Sequence, residues 1–62
     1  MTSREVIAAL EKAGWRIVRQ KGSHVRMTGP DGARHTTIPH PNKDLKRGTL
    51  ASIEKQTGLG FG

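Results

Sequence analysis

The chain reads as an α+β domain in the order α-β-β-β-α, a three-stranded antiparallel sheet with two helices on one face. Three observations predict this. Apolar residues recur at helical spacing near each end, at Val6, Ile7, Leu10 and Ala13, and again at Leu50 and Ile53 with Thr57 on the same stripe. Short segments rich in alternating apolar and polar residues lie between. Lys21-Gly22-Ser23 and Gly29-Pro30-Asp31-Gly32 separate those segments by so few residues that they read as turns between antiparallel neighbours.

The first helix is expected over Thr2–Ala13. Thr2 and Glu5 have capping-box spacing, in which each side chain satisfies a free backbone N–H at the helix start. Gly14 suits the left-handed C-terminal cap. The first strand is expected over Trp15–Gln20. Trp15 and Ile17 share one parity, and Val18 breaks the alternation. The second strand spans His24–Thr28, with Val25 and Met27 on one face and His24, Arg26 and Thr28 on the other. In the next turn Pro30 presets φ and glycine accepts positive φ. The third strand runs Ala33–Ile38 and ends at Pro39 and Pro41. Residues 40–46 read as a polar connector. The second helix starts at Arg47 or Gly48, runs to about Thr57 and is capped by Gly58, with Leu59 folding back. Gly60-Phe61-Gly62 reads as a frayed tail.

Sixty-two residues are expected to form one domain. Such a chain buries only about 60% of its unfolded surface, so a deep enclosed pocket has no room. Any site should be shallow and its ligand large. No cysteine is present, so neither disulfides nor thiolate metal sites staple the fold. Eleven Lys and Arg stand against five Asp and Glu, a formal net charge of +6. That balance points to a polyanionic partner. No apolar run reaches the roughly 20 residues of a membrane span, and the N-terminus lacks a signal-peptide pattern. A cytoplasmic protein is expected. One Trp, one Phe and no Tyr argue against a row of stacking aromatics and predict little base specificity.

Lys21-Gly22-Ser23-His24 is the stretch with the most chemistry. Histidine as a residue type exchanges a proton near neutral pH. RNA carries its own nucleophile, the 2′-OH. Its cleavage needs a base, an acid and cations to steady the phosphorane. His24 supplies the first kind of group, Lys21 the last, and Ser23 can position either the imidazole or a phosphate. Arg16, Arg19, Lys21, Arg26 and Arg34 fall in the sheet region. Lys43, Lys46 and Arg47 lead into the second helix, whose N-terminus favours phosphate. His35 and His40 are weaker candidates, and three widely spaced histidines make a poor metal site. The rival readings are a non-catalytic module for double-stranded RNA or DNA, with His24 incidental, and a protein-interaction module with a basic face.

The element order is that of the double-stranded-RNA-binding domain. Four pieces carry a closer resemblance: Gly14-Trp15; Lys21-Gly22-Ser23-His24; Thr37-Ile38-Pro39-His40-Pro41 with Lys43-Asp44-Leu45; and Gly48-Thr49-Leu50 with Ile53 through Leu59. Together they resemble the HicA toxins, mRNA interferases of toxin–antitoxin pairs, over nearly the whole chain. The resemblance implies a double-stranded-RNA-binding-domain-like fold, ribosome-independent mRNA cleavage that halts translation and growth, and a HicB-type antitoxin partner that masks the active site. It assigns the catalytic role to His24, which follows Gly-Ser. Many members carry a second histidine directly after it, where this chain has Val25. The second proton-transfer role then falls to Lys21, His35, His40 or solvent. The expected site is His24 for catalysis, with Lys21, Gly22, Ser23, Arg26, Lys43, Lys46 and Arg47 for phosphate and RNA. No metal or cofactor is called for.

Overall fold

The computed structural model describes residues 1–61. Its elements follow the expected order: α1 (Ser3–Lys12), β1 (Arg16–Lys21), β2 (His24–Thr28), β3 (His35–Pro39) and α2 (Arg47–Thr57). Helix α1 starts where its capping box predicts. Thr2 Oγ1 accepts from the Glu5 backbone N–H at 3.1 Å, and Glu5 Oε1 accepts from the Thr2 N–H at 2.8 Å. The helix closes in a Schellman motif. Gly14, at φ +95°, donates to the Glu11 carbonyl, and Trp15 donates to the Leu10 carbonyl. Trp15 and Leu10 are both buried, the apolar contact that usually accompanies this cap. Ala13, expected on the buried face, is exposed, because the cap turns the chain away before its side chain reaches the core.

The sheet is antiparallel throughout, in the order β1-β2-β3. Val25 and Met27 of β2 and Ile38 of β3 point inward, where they meet Val6, Ile7 and Leu10 of α1 and Ile53 of α2. Each such side chain contributes about 1.5–3 kcal/mol by burial. Both helices lie on this inner face, packed chiefly against β3. Strand β1 is left exposed along its whole length. Val18 sits at a register shift between Ile17 and Arg19, so the broken alternation in the sequence is a β-bulge.

Two expectations about the chain's later part are corrected. The connector is not wholly polar in its role, because Leu45 inserts into the core at 4% exposure. It is drawn there by hydrogen bonds to the start of the chain, from Leu45 N to the Met1 carbonyl at 2.9 Å and from Ser3 N to the Asn42 carbonyl at 2.8 Å. The tail is not frayed at Phe61. Its ring packs on the core and its N–H donates to Glu54 Oε2 at 2.8 Å. Gly62 lies outside the described residues. Gly58 caps α2 at φ +76°, and Leu59 folds back on the core as expected. Among the described residues no helix is long and apolar enough to cross a membrane.

Candidate active site

The site is built on the outer face of the sheet by the β1–β2 hairpin. Gly22 and Ser23 form a two-residue turn, with Gly22 at φ +55° and no positive φ at Ser23. Positive φ at the first turn position alone is the pattern of a type II′ turn, whose twist suits a hairpin. Lys21 and His24 flank it as register partners. Directly opposed residues in a hydrogen-bonded pair have Cα atoms about 5.5 Å apart with side chains on one face. Arg19 opposes Arg26 two residues further along.

The bulge at Val18 decides this arrangement. From Ile17↔Met27, an unbroken ladder would place Arg19 opposite Val25, whose side chain is in the core. The slip moves Arg19 opposite Arg26 and Lys21 opposite His24. Arg16, opposite Thr28, also shares the outer parity. Arg19, Lys21, His24, Arg26 and Thr37 together line a shallow depression that contains no carboxylate.

A second depression continues from it. His24, Arg26 and Thr37 also border a cleft of about 380 Å³ whose far wall is α2, through Thr49, Ser52 and Gln56. His35 lines this cleft, with its Nδ1 3.1 Å from Thr28 Oγ1. Its partner Thr28 is four residues from His24 along β2, a span of about 13 Å. Their backbones are thus well separated along the sheet, while both side chains border this one cleft.

His40 is elsewhere. Its Nδ1 is 2.7 Å from Ser3 Oγ, which also accepts the Asn42 N–H at 2.9 Å. It lines grooves against α1, on the other side of the sheet from His24. The three histidines do not converge. Lys43 borders a groove with Thr2 and His40, and Arg47 faces Met1, Glu54 and Phe61. Neither they nor Lys46 line the His24 depressions. Proximity in sequence to a helix start grouped these three, and the fold places Lys43 and Arg47 at other grooves. Val25 is 1% exposed, as its parity implies, so a histidine there would point into the core. Glu5 and Asp31, whose carboxyls are held below their ordinary range by hydrogen bonds from Thr2 and from the Ala33 N–H respectively, belong to a cap and a turn outside the cleft.

Sequence reasoning placed Arg19 among the basic residues of the sheet without fixing its face, and it missed Thr37, Thr49, Ser52 and Gln56 as site residues. The Val18 break was a signal for Arg19. The spacing of the last three puts them on one helical stripe beside the apolar one, but nothing in it distinguishes them from a solvated face.

A basic sheet face with a histidine at its hairpin, backed by two helices, defines a small α+β protein of double-stranded-RNA-binding-domain-like order. The family model for the HicA toxin of bacterial toxin–antitoxin systems matches residues 3–59. The chain belongs to the HicA toxin family. A solved structure described as the HicA3 and HicB3 toxin–antitoxin complex is 36% identical, with 100% of both chains covered and a TM-score of 0.79. A comparison with curated protein sequences gives no match.

Proposed function

We propose that this chain, a single toxin domain, is an mRNA interferase that cleaves single-stranded RNA and so stops translation and growth. The observation that supports this most directly is the opposition of Lys21 and His24 across the Gly22–Ser23 turn, with Arg19 and Arg26 next in register. His24 exchanges the proton of the 2′-OH or of the departing 5′-oxygen. The 2′-oxygen attacks the adjacent phosphorus, the bond to the 5′-oxygen breaks, and a 2′,3′-cyclic phosphate and a 5′-hydroxyl result. Lys21 steadies the charge on the phosphorane, and Arg19 and Arg26 hold flanking phosphates. Ser23 positions the hairpin, its carbonyl accepting the His40 N–H at 2.8 Å. The nucleophile comes from the RNA itself, so no metal is needed to generate one. Lys21, solvent and His35, which borders the same cleft as His24, are the candidates for the second proton transfer, since His40 faces away.

A HicB-type antitoxin is the partner we assign, acting in the cytoplasm. The net charge of +6 suits an acidic binding surface, and the structural relative is a toxin–antitoxin complex. The test uses labelled mRNA with wild-type and His24→Ala protein in EDTA, at low and high salt. Cleavage by the wild type alone, leaving cyclic phosphate ends, is expected. A 5′-phosphate product or an absolute need for Mg²⁺ overturns the mechanism. Salt-sensitive binding with no cleavage by either protein favours a binding module.

A further inference from the structure

Gln56 is a cleft residue that the proposed reaction leaves unused. Its side-chain oxygen Oε1 accepts the hydroxyl of Thr36 at 2.7 Å. Thr36 is 2% exposed, so that hydroxyl has no water to turn to. A free glutamine amide can flip and offer either its oxygen or its NH₂. Here the oxygen is turned to the sheet, and the group left for the cleft is the NH₂, a donor only. Ser52 stands one helical turn earlier on the same stripe and lines the cleft as well. Pro39 and Ile53 add apolar surface among these polar groups. A cleft of about 380 Å³ with apolar surface and a few oriented polar groups suits a single flat ring. His24 lies on its border.

We propose that this cleft is a nucleobase subsite, and that Gln56, held by Thr36, selects a keto base over an amino base beside the phosphate at His24. Resting on the ribonuclease reading, it adds a specificity that the scarcity of aromatics did not suggest. Uracil and guanine present a carbonyl oxygen at the position where cytosine and adenine present an NH₂. A donor-only amide accepts the first pair and opposes the second. Gln56 is a specificity residue, and Thr36 is a positioning residue that acts through it.

The test uses the His24→Ala protein and measures its affinity for short oligo(U) and oligo(C) by fluorescence anisotropy. Oligo(U) should bind about tenfold more tightly, the effect of one well-placed hydrogen bond against a mismatched one. Thr36→Val should free the amide and bring the two within about twofold. Gln56→Glu should invert the order, because a carboxylate accepts where the amide donated. Arg26→Ala should weaken both RNAs alike, as a phosphate contact does. Equal affinities for the two RNAs overturn the subsite, as does a Gln56→Leu protein that keeps the original ranking. Wild-type cleavage is read in parallel. A ranking without cleavage fails the ribonuclease reading alone, cleavage without a ranking fails the subsite alone, and binding of neither RNA fails both.

Discussion

Lys21 stands directly opposite His24 in the β1–β2 ladder, and it does so because one extra residue, Val18, slips the register before it. The catalytic pair of the proposed ribonuclease is thus set by a strand irregularity upstream of the motif that contains it. His24→Ala should lower cleavage by about 10²–10⁴-fold, the range for loss of a positioned acid or base. Lys21→Ala should cost about 10²-fold, as loss of a charge-stabilising donor does. Single-turnover cleavage of the double variant should fall by less than the product of the two, since both groups serve one transition state. Fully multiplicative losses would show that they act independently.

The placement of the basic residues makes a sharper test than their number. Arg19 shares the His24 face, whereas Arg47 faces Met1 and Phe61 on the other side of α2. The slope of log affinity against log salt should shrink by about one for Arg19→Ala, one phosphate contact. For Arg47→Ala it should not change. Titrations of a labelled RNA at several salt concentrations measure both. An equal loss at Arg47 would mean that the RNA wraps onto α2, as the sequence grouping of Lys43, Lys46 and Arg47 implied.

Val25→His introduces a second histidine directly after the first, the arrangement that the resemblance suggests for this motif. It should not restore a second proton-transfer group, because position 25 is in the core at 1% exposure. The imidazole would be buried without a designed partner, at a cost of about 1–3 kcal/mol. Urea denaturation should show that loss with no gain in cleavage rate. A faster enzyme of unchanged stability would show that β2 can turn over to present residue 25.

Gly22 and Gly48 should respond in opposite directions to alanine. A Cβ at either meets nothing within 4 Å, so backbone conformation alone decides. Gly22 is at φ +55°, and alanine there should cost about 1 kcal/mol. Gly48 is inside the first turn of α2, where alanine should add up to about 0.5–1 kcal/mol by limiting the unfolded chain. Denaturation midpoints of the two variants would separate in opposite directions from the wild type. Matching shifts would mean that the turn is not held in the form described.

The elements were legible because local chemistry and packing agree over most of the chain. Thr2 and Glu5 cap α1, Gly14 and Gly58 end helices at positive φ, and Pro30-Asp31-Gly32 turns the second hairpin. The site was legible only where it is contiguous, at residues 21–24. Its remaining parts depend on which faces long-range packing brings together. Whether Arg19 faced out depended on how the ladder absorbed Val18, and a break in alternation does not say which way the register slips. Gln56 and Ser52 became cleft residues only when α2 settled beside β3. Leu45 and Phe61 were misread for a related reason, since Leu45 stands among polar residues and Phe61 between glycines, and the burial of each goes with hydrogen bonds that local pattern does not show, from Leu45 to the start of the chain and from Phe61 to Glu54.

Acid should loosen α1 through its capping box. The Glu5 carboxyl is held below its reference value of 4.5, chiefly by the hydrogen bond from the Thr2 backbone and next by the Thr2 side chain. A carboxyl whose pKa is lower folded than unfolded stabilises the fold above the unfolded value. That stabilisation fades as the pH falls through the folded one. The window therefore opens near 4.5 and extends downward. Asp31 behaves alike from 3.8, through the Ala33 N–H it accepts at 2.9 Å. Glu5→Gln keeps an oxygen able to accept the Thr2 N–H but removes the ionisation. Its stability should change less steeply with pH below 4.5 than that of the wild type, while near neutral pH it should be slightly less stable, having lost a negative charge at a helix N-terminus. Thermal melts monitored by circular dichroism from neutral to acid pH measure both. Parallel pH profiles for the two proteins would show that the Glu5–Thr2 bond does not persist in solution.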